Sequence, residues 1–233
     1  MVVVDIVILI FLAFGAIAGF KAGGLKKIVD FVGLILIVIL SFYLKNYLSV
    51  LMYEKLPFFT FGGAIKGLEV LNVLLYEVIA FVIVFSILLI VLRVLLMITG
   101  IIEKVLKATI ILSIPSKIIG LVVGTIEMYV YVFVILVVIT LPIFKTYFLR
   151  DSKVANFMLN NTPVLSPMSD AIVTTYDDVN EIVENRDKKT DEEINTEVLE
   201  LLIKRDILTK ESARRLVDDE KINIDDKTII EEE

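Results

Sequence analysis

The sequence predicts an all-α polytopic membrane protein, with about four transmembrane helices plus a soluble helical C-terminal tail. Three observations carry this. Of 233 residues, 58% are hydrophobic and the mean hydropathy is +0.87, against roughly 45–50% apolar residues in soluble domains. The excess lies in residues 1–149, in four runs long enough to cross a bilayer, while residues 176–233 are strongly charged. Finally, Gly15–Gly33, reading GAIAGFKAGGLKKIVDFVG, joins two apolar runs through a glycine-rich turn holding Lys21, Lys26 and Lys27.

Residues 2–20 form the first run, interrupted only by Asp5. About 19 residues at 1.5 Å each span a hydrocarbon core of roughly 30 Å. Ala16-Ile17-Ala18 resembles a cleavage site, but the basic residues follow the run instead of preceding it, which predicts a retained helix. Residues 28–44 form the second run. Asp30 sits in its first turn, where a carboxylate meets the positive end of the helix dipole, and reads as an interfacial cap.

Residues 46–75 carry Leu48, Leu51 and Met52, then Pro57, Phe58, Phe59, Phe61 and Gly62-Gly63. Aromatics favour the headgroup level, so this segment is expected to lie on the membrane surface, with a re-entrant segment as the alternative. The third run, 76–98, holds Glu77 and Arg93. Residues 100–112 alternate Glu103, Lys104 and Lys107 with apolar positions and predict an amphipathic surface helix. Ser113 to Lys117, around Pro115, read as a break before the fourth run, 118–142.

Beyond the membrane domain (1–149) the pattern predicts juxtamembrane amphipathic helices over 150–183, a charged linker over 184–190 and a soluble helical hairpin over 191–233. Ser166 and Pro167 start a helix of about 18 residues whose apolar positions include Thr175, Val179 and Ile182. Thr190 and Glu193 have capping-box spacing, and Thr209 can cap the second arm. The hairpin is too short to bury much core alone. It is expected to pair with another copy, the 167–183 helix or a partner.

Glycines at 15, 19 and 23 recur every four residues, and Gly120 and Gly124 offer a matching spacing. On helices such ladders let two backbones approach closely, although Gly23 also fits a flexible turn. Arg93 and Glu127 are the ionisable residues deepest in the apolar runs. They fall at similar depth if the third and fourth helices are antiparallel, which suggests an intramembrane pair; the alternative is that Arg93 snorkels to the headgroups.

With no histidine or cysteine, thiol catalysis, disulfides and the common zinc and haem ligand sets are excluded. Ser41, Ser86, Ser113 and Ser116 have no histidine to activate them, there is no nucleotide loop, and the acidic clusters lack calcium-loop spacing. The chain reads as non-enzymatic and without cofactor or metal. Its net charge of −6 comes from the tail and argues against nucleic acid as a partner. The lipid bilayer is the first partner, and the tail helices offer a surface for a homo-oligomer or an envelope protein.

Lys21, Lys26 and Lys27 follow the first run and none precedes it, which places that turn in the cytoplasm and the tail outside. Counted over the whole chain there is no bias, since these three with Lys104, Lys107 and Lys117 inside stand against Lys45, Lys55, Lys66, Lys145, Arg150 and Lys153 outside, so the orientation rests on the first hairpin.

Asp5, Gly15, Gly19-Phe20-Lys21 and Gly24-Leu25 resemble the first hairpin of the colicin V production (CvpA) family. Pro115-Ser116-Lys117 followed by Gly120 and Gly124 is similar to that family's last membrane helix, and Asn161 to Leu165 to its post-membrane segment. The resemblance covers about residues 1–170, and the tail is similar to extensions in members from low-GC Gram-positive bacteria. Glu127 departs from a position that is often glycine-rich or basic in the family. The resemblance implies a multi-pass protein of the bacterial inner membrane, linked to toxin secretion and envelope homeostasis. It would act as a scaffold or accessory factor. A small transporter, channel or export component is the alternative, and the absence of paired intramembrane aspartates argues against a membrane protease.

Overall fold

The computed structural model describes residues 2–98, 114–139, 152–162, 174–175, 178–179, 181–185 and 189–231. Its helices are α1 (Val2–Ala22), α2 (Gly24–Lys55), α3 (Leu71–Ile98), α4 (Ile114–Ile139), α5 (Lys153–Asn161), α6 (Asp191–Lys204) and α7 (Lys210–Asp218). Single 3-10 turns lie at Gly63–Ile65 and Thr228–Ile230, and no strand occurs among the described residues. The first four helices are long and apolar enough to cross a membrane. The expected surface helix at 100–112, the Ser166–Pro167 helix start and the end of the fourth run at 142 lie outside the described residues.

The described residues fall into two compact units, and the boundary lies within α2 and α3. One unit draws on the described residues within 2–44, 81–139 and 152–162, the other on those within 45–80 and 174–231.

In the first unit, α1 and α2 are joined by Gly23 alone. Its φ of +83° is a left-handed conformation that glycine adopts without cost. Lys21 therefore sits in the last turn of α1, and Lys26 and Lys27 in the first turns of α2. α4 begins at Ile114, so Pro115-Ser116-Lys117 does not break the chain among the described residues. Proline is tolerated in a first helical turn, where its missing N–H has no partner to lose. α5 is capped by Ser152, whose Oγ accepts from the Ala155 N–H at 3.0 Å.

The second unit shows how residues 46–75 are built. Residues 46–55 continue α2 without interruption, and Pro57 stops it. At 32 residues α2 is about 48 Å long, more than a core of roughly 30 Å needs, so an end extends beyond the hydrocarbon. There Tyr53 is buried, together with Leu68, Val70, Leu71 and Val73, against Ile194, Val198, Leu199 and Leu202 of α6 and Ala213 and Leu216 of α7. The segment thus contributes to the tail's core, while Tyr47, Leu51, Leu56 and Phe59 stay exposed. Its apolar residues are what the short hairpin lacks, and Val179 and Val183 add to the same core.

Polar contacts pin this core. Asn195 on α6 donates to the Gly67 carbonyl at 3.1 Å and to Glu69 at 2.7 Å. The Asn72 amide accepts from the Phe59 N–H at 2.7 Å and donates to the Phe59 carbonyl at 3.1 Å. Lys221 donates to the carbonyls of Tyr53, Glu54 and Leu56 at 2.6–3.1 Å, satisfying the otherwise open end of α2. Burial there pushes its pKa below the usual lysine value. Thr190 and Glu193 form a reciprocal capping box at the start of α6, and Thr209 caps α7.

The tail and residues 56–70 share one core, so they lie on one side of the membrane.

Candidate functional site

The densest packing in the first unit is the seam between α1 and α4. A Cβ built on Gly15 would stand 2.6 Å from the Gly124 carbonyl oxygen, and one on Gly124 would stand 2.7 Å from the Gly19 Cα. A Cβ on Gly19 would collide with the Gly120 carbonyl, and one on Gly120 would lie 2.9 Å from the Gly23 carbonyl carbon. The four-residue spacings thus meet in antiparallel register, with backbone against backbone. Gly23 serves as the turn, and its carbonyl carbon lies against Gly120.

The residues of the hairpin motif gather at the turn end of this seam. The Gly24 N–H, the first open donor of α2, donates to Ser116 Oγ at 3.0 Å. A Cβ on Gly24 would stand 2.8 Å from Ile119. The Lys117 ammonium lies 5.7 Å from the centre of the Phe20 ring, within cation–π range. Pro115 starts α4 beside Ser116, and Lys21 closes α1. Asp5 lies elsewhere, toward the start of α1. It accepts from Ser152 Oγ at 2.5 Å and from the Val154 N–H at 3.1 Å, so its carboxylate adds to the cap of α5. Tyr129 on α4 and Thr162 share a hydrogen bond of 2.6 Å that holds the other end of α5.

Glu127 does not pair with Arg93. Its carboxylate, 5% exposed as a residue, takes Lys27 of α2 at 2.5 Å. The lysine side chain is long enough to climb from the first turn of α2 toward mid-helix, which a comparison of α3 with α4 alone does not reveal. Arg93 instead lines a groove with Leu89, Ile90, Val94, Met97 and Tyr131, and Arg93 and Tyr131 also line a separate, smaller cavity with Asp30. Asp30 is buried, and because α2 starts at Gly24 it does not sit in the first turn, so it is not the cap expected from the sequence. A further buried pair, Lys45 with Glu77, belongs to the second unit, where Ser49 also donates to Glu77 at 2.5 Å. Sequence reading took Glu77 only as the start of a run. Lys45 and Glu77, each placed among apolar neighbours, are the signal that could have joined them.

The family model for Colicin V production protein matches residues 4–163. The chain belongs to this family. No curated protein and no solved structure matches it. The match spans the glycine seam, the Lys27–Glu127 pair and the Asp5 cap, and it ends before the tail helices. This colicin V production family member is a multi-pass membrane protein.

Removing one partner of a buried ion pair strands the other, which costs about 3–5 kcal/mol, while removing both costs less. Glu127→Gln and Lys27→Gln should each destabilise the protein by that order, and the double variant by clearly less than the sum. Arg93→Gln should add to Glu127→Gln without coupling. Unfolding of purified protein in mixed micelles reads the three single and two double variants. Additive Lys27 and Glu127 effects would mean that the pair does not form in the membrane.

Proposed function

We propose that this protein is a non-enzymatic scaffold or accessory factor of the bacterial envelope. It sits in the inner membrane with its C-terminal part on the extracytoplasmic face. The observation that carries the reading is where the buried charges go. Lys27 is taken by Glu127, and Lys45 by Glu77, so these groups tie helices together. The glycine seam leaves no passage between α1 and α4. The family's link to toxin secretion fits a factor that holds other envelope proteins in place.

Homo-oligomer or envelope partners would meet the tail through its charged sides, since the apolar sides of α6 and α7 are already buried. The alternative, a small transporter or export component, needs a polar path that opens by releasing Glu127. Liposomes holding purified protein should move ions and small peptides no faster than empty vesicles. Flux that Glu127→Gln abolishes would replace the scaffold reading with transport. For orientation, Glu211 is well exposed at the start of α7. A cysteine there should react with a membrane-impermeant thiol reagent in intact cells. Labelling only after lysis would place the tail in the cytoplasm.

A further inference from the structure

Arg93 is an exposed cation of the first unit with apolar side chains around it. It projects from α3 beside a groove of about 260 Å³ whose other walls are Leu89, Ile90, Val94, Met97 and Tyr131. Ile90 and Met97 are 64% and 77% exposed, so the groove opens outward from the helices toward the surrounding lipid. No carboxylate lies within ion-pairing distance of the guanidinium among the described residues. Asp30 shares a separate, smaller cavity with Arg93 and forms no ion pair with it.

A guanidinium facing hydrocarbon is costly unless an anion or water reaches it. Arg93 lies near the C-terminal end of the apolar run 76–98, so its long side chain brings headgroup phosphates within reach. Its planar fork of donors matches two phosphate oxygens. Gly33 of α2 packs on Leu92, which sets this end of α3 beside the first turns of α2. Lys21 and Lys26 stand at that end. Their charge favours a headgroup with no cation of its own over a zwitterionic one.

We propose that this groove is a binding site for an anionic phospholipid. Arg93 holds the phosphate, the Tyr131 hydroxyl stands beside it, and one acyl chain lies along Leu89, Ile90, Val94 and Met97. The site would fix an annular lipid on α3 at the turn end of the hairpin.

The test is native mass spectrometry of the full chain released from micelles, titrated with phosphatidylglycerol or phosphatidylcholine. The wild-type protein should retain a first phosphatidylglycerol at least fivefold more strongly than phosphatidylcholine. Arg93→Gln should remove that preference, Arg93→Lys should keep part of it, and Lys26→Gln should weaken it less than Arg93→Gln. If Arg93→Gln does not fold, Ile90→Trp carries the test. It fills the groove while sparing the arginine, and should lower retention of the first phosphatidylglycerol. Equal retention of both lipids by the wild type, or a preference untouched by Arg93→Gln or Ile90→Trp, would overturn the proposal. A dimer lost on Arg93→Gln, without any lipid preference, would assign the arginine to a second copy instead.

Discussion

Gly19→Leu should abolish folded accumulation of the protein. Gly19 faces Gly120 and Gly124, and a Cβ alone would fall on the Gly120 carbonyl and 2.9 Å from the Gly124 Cα. Both obstacles are backbone, so no rotamer change can clear them. The helices would have to separate, which strips contact from the whole seam. Overpacking a core costs about 1–3 kcal/mol where side chains can yield. Here they cannot, so the cost for Leu should exceed that range, and Gly19→Ala should fall within or above it. Gly62 has nothing within 4 Å of its built Cβ, so Gly62→Ala is the matched control and should stay within about 0.5 kcal/mol. Folded yield after mild detergent extraction, followed by denaturant unfolding, measures all three. A Gly19→Leu protein with normal yield and unfolding would mean that α1 and α4 do not meet through these glycines.

The glycine seam shows what was legible in the sequence. A four-residue spacing repeated on two apolar helices defines two narrow faces before any coordinates exist. The same holds for the four runs, since length and hydropathy are local properties. It also holds for Thr190 and Glu193, whose contact closes within one turn. What the sequence did not show has another origin. That residues 46–75 share a core with the tail depends on Ile194, Leu199 and Leu202, more than a hundred residues away. The partner of Glu127 depends on which of several lysines can reach it. Depth along α3 and α4 cannot choose, because the winning lysine is on α2. α5 was covered only by a broad expectation of amphipathic helices. Nine residues with Ala155, Met158 and Leu159 inside leave a weak pattern, and the Asp5 contact that anchors it is long-range.

Leu202→Ala should loosen the loop before α3 as much as the tail that carries the substitution. Leu202 is fully buried in a core shared by α6, α7 and Leu68, Val70 and Leu71. Truncating such a side chain costs about 2–5 kcal/mol, and each 1.4 kcal/mol is roughly a tenfold rise in the open population. Chymotrypsin has candidate sites in the loop at Phe58, Phe59 and Phe61. Phe59 is 55% exposed but is held by Asn72 through its N–H and carbonyl, so cleavage needs local opening. Cleavage there should accelerate by about tenfold or more in Leu202→Ala, while Glu200→Ala, on the exposed side of α6, should leave it unchanged. A tail that folded on its own would give a different result, with faster cutting confined to residues beyond 189 and a loop as resistant as before. Coupled opening would instead mean that α2 and α3 are tied at this end by the C-terminal helices. Any partner that grips those helices would then pull directly on the membrane hairpin.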